Sequence, residues 1–155
     1  MNRDDNWLIH DHRKHDEALE ECMSAADASD WKTAVALFNS FVEDLQLHMR
    51  MEDEVLYPLL RQESDDAHES LALLGYEHDD IARLLRDLAL VIKRRDFDHF
   101  EESLTPLHKA MVEHNDHEEI VFMSLGTESI LLRREEIIAR LEAMSPQPAH
   151  RDWSF

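Results

Sequence analysis

Histidine and glutamate recur at one spacing in two places of this 155-residue chain. His48 and Glu52 form one H-x-x-x-E pair, and His114 and Glu118 form a second. Residues four apart on an α-helix lie on one face, about one turn apart, so each pair can point at one centre. Imidazole nitrogens and carboxylate oxygens brought together in this way are typical metal ligands.

The whole pattern repeats after 66 residues. This offset carries His12 to His78, His48 to His114 and Glu52 to Glu118. It also relates apolar positions such as Phe38 and Leu104. We therefore predict two helical hairpins that pair with approximate twofold symmetry, each supplying one lone histidine and one H-x-x-x-E pair.

The six residues interrupt apolar stripes that must face a core. Leu45 and Leu56, for example, flank His48 and Glu52 at helical spacing. A single buried histidine is usually a hydrogen-bonded core residue. Six buried polar groups at a repeated spacing are costly unless they are paired or bind metal, and this favours a metal site.

Four imidazoles and two carboxylates are too many ligands for one tetrahedral zinc ion, and the only cysteine, Cys22, is interpreted as a small core residue. The metal motifs E-x-x-H and H-E-x-x-H are absent. Mixed nitrogen and oxygen ligands suit iron or manganese. We expect two iron ions, with manganese or zinc as alternatives, bridged by Glu52 and Glu118 and each bound by two histidines. The remaining coordination positions indicate chemistry or reversible binding.

Other polar residues near these ligands have roles that the sequence leaves open. Four carboxylates could orient the imidazole rings: Asp11, Asp16, Asp53 and Glu77. His15 is either a fifth ligand or proton donor, or a histidine at the edge of the core. Tyr57 and Tyr76 either donate a hydrogen bond to a bound ligand or simply pack.

The elements that position these residues are predicted to be helices, because the chain has only two glycines and four prolines and no strand-like alternation. We predict an all-α, up-down four-helix bundle with an additional C-terminal helix, formed by residues 1–144. The predicted helices are Asp5–Ala26, Trp31–Arg61, Ala67–Arg94, Phe97–Leu125 and Glu128–Met144. Ser29 or Asp30 is expected to cap the second helix, and Pro58 to kink or close it. Gly126 and Thr127 are expected to end the fourth helix and begin the fifth. A flexible tail is expected over Ser145–Phe155.

The formal net charge of −19 argues against nucleic acid as a partner, because an acidic surface repels phosphate. No apolar run is long enough to span a membrane, and residues Met1–Leu8 do not resemble a signal peptide. A single cysteine fits a reducing cytoplasm. We therefore expect a soluble, cytoplasmic protein whose protein partners are unknown.

The sequence resembles the hemerythrin-like family, specifically the HHE cation-binding domains. The resemblance covers roughly residues 8–125 and rests on these segments: His12, His48-Met-Arg-Met-Glu52 with Val55-Leu-Tyr-Pro58, His78, and His114-Asn-Asp-His-Glu118-Glu119-Ile-Val-Phe122. It implies an up-down bundle around a carboxylate-bridged, non-haem di-iron centre. Family members bind, sense or store dioxygen, and some handle nitric oxide or peroxide, repair iron–sulfur centres or sense iron.

Two positions bear on the comparison with the oxygen-carrying members, which have H-x-x-x-H on the third helix and H-x-x-x-x-D on the fourth. Ala82 stands four residues after His78, where the carriers have a further histidine. Glu119 stands five residues after His114, at the carrier's carboxylate spacing. On a regular helix Glu119 lies about 140° from His114 and Glu118 only about 40° away, so we predict Glu118 as the ligand and Glu119 as a surface or supporting group.

The function predicted from these features is that of a di-iron protein that binds or reduces dioxygen, nitric oxide or peroxide. The missing histidine argues against reversible oxygen carriage. The alternative is an iron- or metal-binding homeostasis protein without redox turnover. A third interpretation is a bundle in which metal only stabilises the fold.

Overall fold

The computed structural model describes residues 7–63, 67–125 and 133–143. These residues form six α-helices and one π-helical turn: α1 (Trp7–Asp27), α2 (Trp31–Met51), the π turn (Glu52–Leu56), α3 (Tyr57–Glu63), α4 (His68–Lys93), α5 (Phe97–Leu125) and α6 (Arg134–Ala143). The described ranges contain no β-strand. The predicted all-α fold is confirmed.

Two antiparallel hairpins make up the bundle. Helix α1 packs against α2, α4 packs against α5, and α1 also contacts α5. The connections within the hairpins, residues 28–30 and 94–96, have only three residues each. Such short connections force neighbouring helices to run in opposite directions. The up-down order expected from the sequence is the observed one.

The two hairpin connections repeat each other, residue by residue, at the 66-residue offset. Ser29 and Arg95 both adopt the left-handed backbone conformation, with φ values of 59° and 57°. Asp30 accepts a hydrogen bond from the backbone N–H of residue 33 at 3.4 Å, and Asp96 accepts one from residue 99 at 3.2 Å. These bonds satisfy N–H groups that a helix start leaves free. Asp30, rather than Ser29, is therefore the cap.

The second predicted helix is not one regular α-helix. Its hydrogen-bond pattern changes to a π turn over Glu52–Leu56, where the Tyr57 N–H donates to the Glu52 carbonyl. Pro58 explains the change, because proline has no N–H and its ring collides with the carbonyl four residues earlier in a regular helix. A π turn just before the proline widens the helix at this point. The helix then continues as α3, so Pro58 does not end it.

The observed ends of the other helices lie within a few residues of the predicted ends, where the structure describes them. Helix α6 begins at Arg134, because Arg133 lies in a turn. Residues 128–132 and Met144 of the predicted fifth helix lie outside the described residues, as do Asp5, Gly126, Thr127 and the predicted tail.

The apolar core is divided into two clusters by a polar layer. One cluster, near the hairpin connections, contains Phe38, Phe100 and Leu104. The other contains Leu8, Leu56, Leu74 and Phe122, and α6 adds Ile137 and Leu141 to it. Burial of these side chains stabilises the bundle on both sides of the layer. The residues of the layer are the histidines and glutamates of the repeated motif.

None of the described helices has the length and apolar composition that a membrane crossing would need.

Candidate metal centre

The structure buries all six residues of the repeated motif in the polar layer. Five elements contribute them: α1 supplies His12, α2 supplies His48, the π turn supplies Glu52, α4 supplies His78, and α5 supplies His114 and Glu118. They form two groups of four that share both glutamates: His12, His48, Glu52 and Glu118 in one, and Glu52, His78, His114 and Glu118 in the other. Within each group, one potential ligand atom of every residue lies within 4.8 Å of the others.

Each shared glutamate lies between a histidine of its own helix and a histidine of the other hairpin. Glu52 Oε1 is 3.4 Å from His48 Nε2 and 3.2 Å from His78 Nε2. Glu118 Oε1 is 2.9 Å from His12 Nε2, and its Oε2 is 3.5 Å from His114 Nε2. The two carboxylates therefore connect the two groups.

The outer nitrogen of every one of the four imidazoles faces a carboxylate. The Nδ1 atoms pair as follows: His12 with Glu119 at 3.1 Å, His48 with Asp11 at 3.2 Å, His78 with Asp53 at 2.9 Å, and His114 with Glu77 at 3.0 Å. The offset of 66 relates Asp11 to Glu77 and Asp53 to Glu119. The twofold repeat therefore extends to the residues that hold the ligands in place.

Three of the four carboxylates that the sequence left open thus contact an imidazole. Asp16 does not, and its Oδ1 is buried without a hydrogen-bond partner in the described part of the chain. An imidazole that donates its Nδ1–H to a carboxylate presents the Nε2 lone pair inward, which is the arrangement typical of metal-binding histidines.

The inward-facing atoms fit a bound cation. His78 Nε2 lies 3.0 Å from His114 Nε2, and two nitrogen lone pairs at this distance repel unless a proton or a metal ion lies between them. His48 Nε2 and Glu52 Oε2 are buried and have no hydrogen-bond partner among the described residues. Buried polar atoms without partners are costly, and a metal ion supplies the missing partner. The thiol of Cys22 lies outside this layer, in the apolar cluster near the hairpin connections, and donates to the Ala34 carbonyl at 3.3 Å.

The electrostatics of the metal-free cluster also favour positive charge. The pKa is raised for three histidines: His12 to about 9, and His48 and His78 to about 10. Burial alone would lower these pKa values, but hydrogen bonds and charges of the nearby carboxylates outweigh it. Burial likewise favours neutral Glu118, yet the hydrogen bonds that His114 and His12 donate to its oxygens, together with the charge of His12, hold its pKa well below the ordinary value. The carboxylates thus stabilise the protonated imidazoles, and metal ions that bind to the same nitrogens would replace these protons.

The family model of the hemerythrin HHE cation-binding domain matches residues 3–125. The chain belongs to this family. Comparison with curated proteins and with solved structures gave no match. The matched residues include the helices of both hairpins and all six clustered histidines and glutamates, whereas α6 lies outside the match. The family predicted from the sequence is confirmed, and membership supports metal binding by the histidine–glutamate cluster.

In this HHE bundle, Tyr57 is part of the polar layer. A regular α-helix through Glu52 would not place it there. Five residues after Glu52, it would lie about 140° away at 100° per residue. The π turn instead directs Tyr57 inward, where its hydroxyl donates to Glu118 and lies 3.4 Å from His78 Nε2. The Tyr57 ring also stacks on His78, with centroids 5.5 Å apart. Pro58 was the signal in the sequence for this change of register.

Glu119 and His15 occupy different positions in the HHE site. Glu118 is completely buried in the cluster, whereas Glu119 lies outside it against His12 Nδ1. His15 is buried near the His48 ring, with centroids 5.2 Å apart, but it belongs to neither group of potential ligands. Burial and the neighbouring His48 lower the pKa of His15 to about 3, so its ring is neutral at physiological pH. Tyr76 is exposed.

Proposed function

We propose that this HHE protein is a non-haem di-iron protein that binds or reduces dioxygen, nitric oxide or peroxide. In this proposal His12, His48 and the two glutamates Glu52 and Glu118 would hold one iron ion. His78, His114 and the same two glutamates would hold the other. The observation that carries the proposal is the pair of four-residue groups that share both glutamates.

The chemistry of the potential ligands favours iron or manganese over zinc. Each group offers two imidazole nitrogens and two carboxylate oxygens, and neither group contains a thiolate. This mixture suits iron or manganese, whereas structural zinc prefers four-coordinate sites that are commonly rich in cysteine. With four protein donors each, metal ions that take more than four ligands retain positions for a small exogenous molecule.

The iron ions would supply one-electron redox chemistry, and the protein residues would control their surroundings. The four outer carboxylates hold the imidazoles in one orientation. Tyr57 keeps its proton at neutral pH, because burial and the neighbouring Glu52 and Glu118 raise its pKa well above 10. Its hydroxyl can therefore donate to Glu118 throughout the physiological range. The two apolar clusters on either side of the layer limit access of water.

The proposal is tested by loading metal-free protein with Fe(II) under anaerobic conditions and measuring iron by elemental analysis. We expect saturation at two iron ions per chain. Exposure to air should then produce visible charge-transfer absorption, and nitric oxide or hydrogen peroxide should change it. Saturation at one ion would contradict the bridged arrangement. Two bound ions that respond to none of these ligands would support the metal-homeostasis alternative, and parallel titrations with Mn(II) and Zn(II) would show whether iron is preferred.

A further inference from the structure

The interface between α1 and α5 contains two buried polar atoms that have no hydrogen-bond partner among the described residues. They are Oδ1 of Asp16, on α1, and Nδ2 of Asn115, on α5. Asn115 as a whole is only 8% exposed. Buried polar atoms without partners cost free energy, so a water molecule or an ion that satisfies both atoms would stabilise this part of the bundle.

The neighbouring contact between the two helices places Asp16 and Asn115 opposite each other. Asp16 follows His12 by four residues, and Asn115 precedes Glu119 by four residues. Residues four apart lie on one helix face, about one turn apart. Since His12 and Glu119 are bonded to each other at 3.1 Å, one turn along each helix leads to Asp16 on α1 and to Asn115 on α5.

A second contact confirms that the two helices run in opposite directions. One turn beyond Asp16 on α1, Glu20 Oε1 lies 3.9 Å from His108 Nε2 on α5. The residue number thus rises from 12 to 20 on α1 while that of the partner falls from 119 to 108 on α5. Asp16 and Asn115 therefore lie between two observed contacts of the same interface.

The repeat shows that packing of the bundle does not require this pair of polar residues. The related interface is the one between α4 and α2, which also contact each other. The related residues are Ala82 for Asp16, Met49 for Asn115, Arg86 for Glu20 and Val42 for His108. Met49 is buried in the apolar cluster near the hairpin connections. The carboxylate and the amide are thus a feature of the α1–α5 interface and not of the symmetric scaffold.

The charges around Asp16 favour a cation over a water molecule. Burial raises the pKa of Asp16, and the charges of Glu20 and Asp116 raise it further, although His108 and His12 act in the opposite direction. Glu20 and Asp116 are both exposed, so they lie where ions arrive from solvent. Water would satisfy the hydrogen bonds of the buried pair, but only a cation would also balance the carboxylates. The net charge of −19 raises the local concentration of cations further.

We propose that Asp16 and Asn115 bind a partly hydrated divalent cation between α1 and α5, and that ions held there pass to the buried histidine–glutamate cluster. This inference rests on the proposed function, because it gives the metal centre a route for loading. The site itself lies outside the cluster and adds a third cation position to the bundle.

The available ligands suit a small divalent cation such as Mn(II), Fe(II) or Mg(II). Asp16 offers carboxylate oxygens, and Asn115 offers a carbonyl oxygen, because a half-turn of its amide exchanges nitrogen and oxygen. Among the described residues, no third group of three or more histidines, cysteines and carboxylates is close enough to hold an ion. The ion would therefore keep several waters, as small divalent cations bound by one or two carboxylates do. Such binding is weak and reversible, which suits a site that releases its ion.

Glu119 lies between this site and the cluster. It is one turn from Asn115, its side chain is 28% exposed, and its Oε2 is bonded to His12 Nδ1. The other ring nitrogen of His12, Nε2, lies 2.9 Å from Glu118 Oε1 inside the cluster. An ion that leaves Asp16 thus meets a further carboxylate before it reaches the first buried ligands.

Crystals of the metal-free protein soaked in Mn(II) test the site, because anomalous scattering locates manganese without any reaction. In the wild type we expect manganese between Asp16 and Asn115 as well as in the cluster. Asp16→Asn keeps the shape of the side chain but removes its charge, and it should lose only the manganese between the helices. Asn115→Met installs the residue of the other half and should lose it too. Glu17→Ala removes an exposed carboxylate from the next position of α1 and should keep it.

The loading of metal-free protein with Co(II) tests the route, because cobalt bound by imidazoles absorbs visible light. Stopped-flow absorption at low Co(II) concentration should show loading slower by on the order of tenfold in Asp16→Asn and Asn115→Met. Both variants should still reach two ions in the cluster, measured by elemental analysis after the weakly held ion is removed by gel filtration. Glu17→Ala should load at the wild-type rate at the same ionic strength.

The outcomes separate this inference from the proposed function. A wild-type crystal with only water between Asp16 and Asn115 would overturn the cation site. Equal loading rates for wild type and Asp16→Asn would overturn the route, and so would equal slowing in Glu17→Ala, because net charge would then explain it. A wild-type cluster that takes up neither Co(II) nor iron would contradict the proposed function, while manganese between Asp16 and Asn115 would still support the cation site.

Discussion

His12 Nδ1 donates to Glu119 Oε2 at 3.1 Å, and this bond joins the first hairpin to the second. Its symmetry mate is the bond from His78 to Asp53, which joins the hairpins in the opposite direction. Glu119 and Asp53 thus each hold a histidine of the opposite hairpin. Glu119 lies next to the cluster, not within it. The adjacent Glu118 occupies the position that a shared metal ligand requires.

Substitutions should therefore separate the two neighbouring glutamates of α5. Glu118→Ala removes an oxygen donor from both groups, and we expect it to abolish most two-ion binding. Glu52→Ala should do the same, because the repeat makes it the equivalent residue. Glu119→Ala removes only support for His12, so two ions should still bind, with affinity lower by about 10–100-fold. Metal titration followed by elemental analysis distinguishes these results. If Glu119→Ala abolishes binding and Glu118→Ala does not, the proposed ligand on α5 is wrong.

Removal of metal should lower the melting temperature. Without metal, the layer keeps inward-facing atoms that have no hydrogen-bond partner in the described structure, among them His48 Nε2 and Glu52 Oε2. Metal binding to the folded state alone adds its binding free energy to the stability of the bundle. Calorimetry of metal-free and iron-loaded protein at one pH measures the difference. Equal melting temperatures would contradict a metal site in the core.

The metal-free protein should lose stability as the pH rises above neutrality. Carboxylates raise the pKa of His12 to about 9 and those of His48 and His78 to about 10, although burial acts in the opposite direction. A histidine whose pKa is higher in the folded than in the unfolded state stabilises the protein. Its full contribution is present at pH values below the unfolded-state pKa of about 6.5. This contribution is lost as the pH rises through 9 to 10. The contribution of His15 to stability has the opposite sign, because its pKa is lowered in the folded state. It destabilises the fold, and only at pH values below about 6.5.

Urea denaturation at pH 7.5 and pH 9.5 tests this expectation, since both values lie above the range in which His15 and Glu118 titrate in either state. The midpoint of the metal-free protein should be lower at pH 9.5. The iron-loaded protein should not follow the same trend, because bound ions replace the protons. A midpoint for the metal-free protein that is equal or higher at pH 9.5 would contradict the raised pKa values.

The helices and the clustering of the six motif residues could be predicted because they depend on periodic patterns. The 66-residue offset relates His48 to His114 and Glu52 to Glu118 in the sequence, and the same offset describes their positions in the bundle. Helical spacing then places each pair on one face. The offset even extends to Asp30 and Asp96, whose capping bonds are local.

Features that depend on contacts between hairpins could not be predicted in this way. The choice of Asp53 over Asp16 as a partner of an imidazole depends on the rotation of one helix relative to another. The π turn depends on how the backbone accommodates Pro58, and a helical-wheel argument assumes that no such change occurs. The place of α6 against α2 and the π turn depends on tertiary packing of Ile138 and Leu141. Tyr57 was left between two roles for the same reason.

Tyr57→Phe tests the consequence of the π turn. The phenol donates to the buried Glu118, and the variant keeps all six histidines and glutamates that could hold metal, so it should still bind two ions. Loss of a hydrogen bond to a charged carboxylate should lower the free energy of unfolding of the metal-free protein by about 1.5–3 kcal/mol. Tyr76→Phe removes the same hydroxyl from a residue that is 67% exposed, and it should change stability by less than about 0.5 kcal/mol. Urea denaturation followed by circular dichroism measures both variants under one condition. If the two substitutions have equal effects, Tyr57 does not stabilise Glu118, and the π turn does not bring the phenol into the metal site.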